Sequence, residues 1–152
     1  MTTTLTQPVR MTILSEPLHL PVVRAATEKL CELIGFSAEV AGSVVLCVDE
    51  ALTNIIRHAY GNAADRPIEI ELVPMPGADG ASGLEVRLRD YGPAVDPSRI
   101  RSRDLDDVRP GGLGVHIMNR CMDEVEYRAA EGGGTLLRLV KRGNVACKDG
   151  ER

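Results

Sequence analysis

A chain of 152 residues, 43% hydrophobic and 26% charged, has the length and balance of one soluble globular domain, and no second substrate domain is expected beside it. The 22 Asp and Glu outnumber the 18 Lys and Arg, and the resulting formal charge of −4 excludes the cationic excess needed for a nonspecific grip on nucleic acid or on an anionic membrane. One Phe, three Tyr and no Trp leave an aliphatic core and no aromatic platform on which single-stranded bases could stack.

In chain order, residues 1–9 are expected to be a flexible tail, and alternation from Val9 to Leu14 predicts a first strand that ends before Pro17. Leu20, Val23, Ala26, Leu30, Leu33 and Ile34 recur at helical spacing, so a helix is expected over about 18–33, with Gly35 as its stop. Ser37 suits an N-cap, and Val40, Val44, Val45, Val48, Ala51, Leu52, Ile55 and Ile56 form the apolar stripe of a longer helix reaching about Tyr60. Period-two alternation over 68–73 and again through Leu84, Val86 and Leu88 predicts two strands around a Pro- and Gly-rich hairpin loop. Residues 93–110 are poor in apolar positions and read as a mobile surface loop. A short helix from Gly111 to about Cys121 follows, then a hairpin of 125–129 and 135–141 across Gly132, Gly133 and Gly134.

This order, with strands in runs rather than alternating with helices, predicts an α+β two-layer sandwich in which helices cover one face of a mixed, mostly antiparallel sheet. The domain is placed at 10–142, and residues 143–152 are expected to be an untethered tail. Cys31, Cys47, Cys121 and Cys147 show no close pairing and are expected to be reduced and mostly buried. No apolar run approaches the roughly 20 residues that span a bilayer. Residues 1–8 have neither the basic start nor the apolar stretch of a signal peptide, so a cytoplasmic location without membrane contact is expected.

Three constellations carry chemistry. On the second helix, Glu50, Asn54, Arg57 and His58 stand at offsets of four, three and one and border the apolar face. A carboxylate one turn from a side-chain amide can serve as a base while the amide oxygen holds hydrated Mg²⁺; a plain solvated stripe has the same spacing. Asp90 at a strand end can accept a hydrogen bond from an exocyclic amine, and Gly92 permits close approach of a flat ring, although an ordinary turn explains both equally well. The third is Gly111, Gly112, Leu113, Gly114 and Val115, a glycine-rich entry to a helix whose free N–H groups and dipole favour an anion; loop flexibility is the blander explanation.

Taken together and in order, these segments resemble the ATP-binding motifs of Bergerat-fold, histidine-kinase-like ATPases. The run from Glu50 through Asn54, Arg57, His58 and Ala59 to Tyr60 resembles the N box, Asp90 with Gly92 the G1 box, and Gly112 with Gly114 the G2 box, while Gly134 and Thr135 resemble the closing element on the last hairpin. The stretch 111–115 followed by 122–127 is most similar to the RsbW-type anti-sigma-factor serine kinases. Ala94 stands where many relatives carry a further glycine, and Val95 where Phe is frequent, changes at the pocket rim.

The resemblance implies ATP and Mg²⁺ as cofactors and a serine/threonine protein kinase as the activity. Asp90 would bind the adenine amine with Gly92 and Thr135 lining the same pocket. Asn54 would hold Mg²⁺, while Gly112, Leu113, Gly114 and Val115, together with Arg57, would meet the phosphates. Glu50 would be the catalytic base, and His58 is not assigned a catalytic part. The implied partners are a sigma factor and a STAS-domain anti-anti-sigma factor, without direct nucleic-acid contact. A homodimer through the first strand and helix is also implied. Two other readings fit the same motifs: a nucleotide-dependent regulatory module without kinase activity, and a switch kinase that binds no sigma factor. Both Glu50 and Asn54 are retained, and a pure binding module needs no base.

Overall fold

The computed structural model describes residues 6–76, 83–93, 112–143 and 147, with the backbone alone for 112–115. The expected loop over 93–110, with Ala94 and Val95, lies almost entirely outside the described residues. Strand β1 (Val9–Leu14) leads through a single 3-10 turn at Pro17–His19 into α1 (Leu20–Ile34), which ends on Gly35. Helix α2 (Ala38–Asn54) starts where the Ser37 hydroxyl accepts the Val40 N–H at 3.2 Å, satisfying one of the orphan donors of the first turn. Strands β2 (Pro67–Met75) and β3 (Gly83–Arg89), helix α3 (Gly112–Cys121) and strands β4 (Glu124–Ala129) and β5 (Thr135–Arg142) complete the chain.

The five strands form one sheet in the order β1-β2-β3-β5-β4, and every neighbouring pair is antiparallel. Period-two alternation sends Ile68, Ile70 and Leu72 of β2, Leu84, Val86 and Leu88 of β3, and Leu137 and Leu139 of β5 to one face, all of them buried. Val23, Leu30 and Cys31 of α1 and Val40, Val44, Cys47, Val48, Ala51 and Leu52 of α2 close over that face. Burial of this aliphatic set removes apolar surface from water at roughly 25 cal/mol per Å², and it fixes which side of α2 remains available for chemistry.

The other face of the sheet is a lattice of charge. Arg10 and Arg87 both reach Glu71, at 2.6 and 2.8 Å, Arg87 also pairs with Glu85 at 2.7 Å, and Arg138 pairs with Glu85 and lies 3.5 Å from Glu124. Arg87 and Arg138 are cross-strand partners, so without Glu85 between them two guanidinium groups would face each other. Glu85 is nevertheless only 6% exposed at the centre of this lattice, screened by the guanidinium groups of Arg87 and Arg138.

Two expectations are corrected. The long helix does not continue regularly to Tyr60: after Asn54 it widens into a π turn over Ile55–Ala59, in which the Tyr60 N–H donates to the Ile55 carbonyl at 3.0 Å. Periodicity could not show this, because Ile55 and Ile56 remain buried on the same apolar stripe. The second concerns the cysteines. Cys31 and Cys47 are free and buried, with burial pushing both thiols up to about 12, but Cys121 is disulfide-bonded to Cys147, so the segment after 142 is tied down at that point. Among the described residues no helix is long and apolar enough to cross a membrane.

Candidate functional site

Helix α2 buries its apolar stripe against the sheet, which turns the remaining side outward at its C-terminal end. Asp49 there is already engaged, accepting from Arg24 Nε of α1 at 2.7 Å, and Thr53 donates back to the Asp49 carbonyl at 2.8 Å. The side chains of Glu50 and Asn54, one turn apart and half-buried, make no hydrogen bond or ion pair among the described residues. Arg57 and His58 lie on the π turn, both exposed, where the wider winding changes their direction relative to Glu50.

At the end of β3, Asp90 is only 4% exposed. Burial raises its carboxyl above the ordinary range, opposed by hydrogen bonding to the backbone of Gly92 and Thr135 and by Arg89. Its Oδ1 accepts the Gly92 N–H at 2.9 Å and its own N–H donates to the Thr135 carbonyl at 3.1 Å, so the carboxylate is held against β5. Beside it the Thr135 hydroxyl is fully buried with no hydrogen-bond partner among the described residues. A buried carboxylate next to an orphaned hydroxyl fits a ligand that brings its own polar edge, since an unmet buried polar atom costs about 1–3 kcal/mol.

Glycine is required at two points of this pocket. A Cβ on Gly92 would lie 2.7 Å from the Ala59 carbonyl oxygen, so the strand end is pressed against the π turn. On Gly134, whose φ is +81°, a Cβ would lie 2.0 Å from the Asp90 carbonyl oxygen. These approaches bring the segments of Asp90, Ala59 and Thr135 together, although 31 and 45 residues separate Ala59 and Thr135 from Asp90 in sequence terms. An open groove of about 390 Å³ runs along the same junction, lined by Ala59, Tyr60, Arg66, Tyr91, Gly92 and Pro93.

Helix α3 begins at Gly112, so the backbone of Gly112, Leu113, Gly114 and Val115 forms its first turn, with N–H groups not consumed within the helix. Its other end is fixed: buried Met118 packs into the core, and the Lys141 ammonium donates to the Cys121 carbonyl at 2.8 Å, where the helix dipole favours a cation.

Motif reading includes Tyr60 in the N-box-like run without giving it a part, and it passes over Tyr91 and Arg89. Tyr60 is buried, and its hydroxyl accepts the Tyr91 N–H at 2.7 Å while donating to the Pro67 carbonyl at 2.5 Å. Tyr91 donates to Glu69 at 2.6 Å, and Arg89, 4.6 Å from the Tyr91 ring centroid, ties the β4–β5 turn by donating to the Glu131 carbonyl at 2.7 Å. The available signal was scarcity: with four aromatic residues in the chain, each one marks a place where a large side chain is needed.

Compared with known proteins, residues 13–141 match the histidine kinase-like ATPase domain. The chain belongs to that family. Within the histidine kinase-like ATPases it is an RsbW-like protein kinase: it is 25% identical over 141 residues to the serine-protein kinase RsbW of Halalkalibacterium halodurans, covering 88% of this chain and 82% of that one. It is 32% identical over 105 residues to the serine/threonine-protein kinase BtrW of Bordetella bronchiseptica, covering 66% of this chain and 70% of the relative. Among solved structures, the RsbU and RsbW domains of Rv1364c from Mycobacterium tuberculosis superpose with a TM-score of 0.60 at 17% identity, over 95% of this chain and 35% of that one. The SiaB-SiaC complex from Pseudomonas aeruginosa gives the same TM-score at 14% identity, over 87% and 88%. Both share the α+β fold expected of this family member.

Proposed function

We propose that this family member is an ATP- and Mg²⁺-dependent serine/threonine kinase and anti-sigma factor of the cytoplasm, acting as a homodimer. It phosphorylates a STAS-domain anti-anti-sigma antagonist and sequesters a sigma factor when not engaged by that antagonist. The observation that carries the reading is the pairing of two half-sites: a buried Asp90 carboxylate beside a Thr135 hydroxyl, and a helix end presenting the Glu50 and Asn54 side chains, with Thr135, Glu50 and Asn54 lacking side-chain partners among the described residues.

In this reading Asp90 accepts from the adenine amine, with Gly92 and Thr135 lining that pocket. Among the described residues no cluster of His, Cys, Asp or Glu could hold a metal by itself, and Asn54 would supply one oxygen ligand to a Mg²⁺ carried on the phosphates. When bound, that ion would supply charge neutralisation on the transferring phosphoryl group. The first-turn N–H groups from Gly112 to Val115, with Arg57, meet the phosphate charge from the protein side. Glu50 takes the proton of the substrate serine or threonine hydroxyl as its oxygen bonds to the γ-phosphorus and the bond to the β,γ-bridging oxygen breaks, leaving ADP. Positioning and charge neutralisation supply most of the rate.

The test is affinity capture of the tagged protein from its native cell in ATP and Mg²⁺, followed by a phosphorylation assay on the recovered small partner. A sigma factor together with an antagonist phosphorylated on Ser or Thr is the expected result. Partners recovered without phosphotransfer would leave a nucleotide-gated binding module, and phosphotransfer without a sigma factor would leave a switch kinase of another signalling complex.

A further inference from the structure

The Tyr60 hydroxyl has no part in the roles above, yet it joins the two halves of the site. Three consecutive N–H groups hold the turn that carries Asp90, and each has a different kind of partner. The Asp90 N–H goes to the Thr135 carbonyl of the sheet at 3.1 Å, the Gly92 N–H returns to the Asp90 carboxylate at 2.9 Å, and the Tyr91 N–H goes to the Tyr60 hydroxyl at 2.7 Å. Of these, the Tyr60 bond alone ties the turn to the helical layer.

Tyr60 is itself held in place. The π turn secures its N–H on the Ile55 carbonyl at 3.0 Å, and its carbonyl receives the Ala63 N–H at 3.0 Å. Its phenol proton is directed at the Pro67 carbonyl at 2.5 Å, which leaves an oxygen lone pair facing Tyr91. Burial pushes the phenol above its ordinary range, so the hydroxyl keeps that proton at physiological pH. Ala59 and Gly92 are pressed together one residue away on each strand of this contact, so a shift of Tyr91 moves Gly92 and, with it, the N–H that orients the Asp90 carboxylate.

We propose that Tyr60 is a positioning residue for base recognition: through the Tyr91 N–H its hydroxyl sets the Asp90 carboxylate where the amine of a bound adenine is read, and couples that pocket to the helix bearing Glu50 and Asn54. The inference rests on the reading of Asp90 as the adenine acceptor. A purely structural tyrosine would predict something different, because general loosening of the site weakens every nucleotide alike.

The experiment measures the affinity of the full chain, as wild type, Tyr60→Phe and Asp90→Asn, for ATP and for purine riboside 5′-triphosphate, which lacks the exocyclic amine. Tyr60→Phe is expected to weaken ATP by about threefold to tenfold, the worth of one hydrogen bond, and to leave the amine-free nucleotide within twofold. Equal weakening of both nucleotides, or unchanged ATP affinity in Tyr60→Phe alongside a loss in Asp90→Asn, overturns the positioning role and leaves the Asp90 reading standing. Unchanged ATP affinity in Asp90→Asn, or no ATP binding by the wild type, overturns the Asp90 reading itself. Should the Phe variant fail to fold, amide hydrogen exchange on the wild type decides: the Tyr91 N–H must be strongly protected, and exchange at the rate of a free amide overturns the proposal.

Discussion

The two ends of the proposed nucleotide site are built differently. Around Asp90 each backbone N–H from 90 to 92 has a fixed partner, two glycines admit backbone contacts that no side chain could tolerate, and a tyrosine hydroxyl closes the junction. At the end of α2, by contrast, the side chains of Glu50, Asn54, Arg57 and His58 make no hydrogen bond or ion pair among the described residues. The base end is preorganised by the fold, so substitutions there should register as stability and affinity. Side chains at the phosphate end lack such ties among the described residues, so substitutions there should register as activity with little change in the fold.

The largest expected effect lies at the free end. Glu50→Gln should lower phosphotransfer by about 10²- to 10⁴-fold, the usual worth of a general base, with ATP affinity and melting temperature unchanged. Retained turnover in a partner phosphorylation assay would remove Glu50 as the base. A fall in melting temperature would instead show that this end is tied into the fold after all.

Next comes the tied end. Gly134→Ala places a Cβ 2.0 Å from the Asp90 carbonyl oxygen at a φ of +81°, and should destabilise the fold by about 3 kcal/mol, lowering the melting temperature by about 10 °C. A melt within two or three degrees of wild type would mean that the β5 entry can move away from Asp90, and the contrast between the ends would lose its basis.

Slightly smaller is the effect of the Cys121–Cys147 link, which fixes the end of α3 opposite the glycine-rich first turn. Closing a loop of 26 residues removes denatured-state entropy worth at most about 3.5 kcal/mol, an upper bound that a native disulfide commonly falls below. A dithiol reductant should therefore lower the melting temperature of the wild type and leave that of a Cys147→Ser variant unchanged. An identical response in both would show that the bond contributes nothing to the fold.

What was legible in the sequence follows the same division. The bounds of β1, the Gly35 stop, the Ser37 cap and the final hairpin rest on neighbours a few residues apart, and hydrophobic period and cap chemistry report such neighbours directly. The residues named for chemistry rest on the order of their motifs, and the structure sets Asp90 against Thr135. Tyr60 stands in the N-box-like run, but the part its hydroxyl plays stayed hidden because the partners lie 7 and 31 residues away, and no local pattern marks a tyrosine whose hydroxyl is committed. The π turn was masked by an apolar stripe that continues through it. The pairing of Cys121 with Cys147 was missed because cysteine spacing carries no information about which thiols meet in a fold.

The smallest effect, and the one that separates folding from function most sharply, is expected at Asp90. Burial raises its carboxyl above the ordinary value near 3.9, so the native state favours the neutral form. A folded-state pKa above the unfolded one contributes stability below the unfolded value, and that contribution is lost as pH rises through the folded value. At neutral pH the ionised Asp90 is therefore a cost to the ligand-free protein. Asn has nearly the same shape, can still accept the Gly92 N–H through its amide oxygen, and carries no charge to desolvate. Asp90→Asn should thus melt at or slightly above the wild-type temperature at pH 7, with the difference shrinking as pH falls toward the ordinary Asp range. The same variant should bind ATP more weakly, because the amide offers a weaker acceptor to the adenine amine. Thermal melts of both proteins across this pH range, with and without ATP, give the two halves of the prediction. A variant less stable than wild type at pH 7 would mean that the carboxylate supports the apo fold, and that the preorganisation of the base end is electrostatic as well as steric.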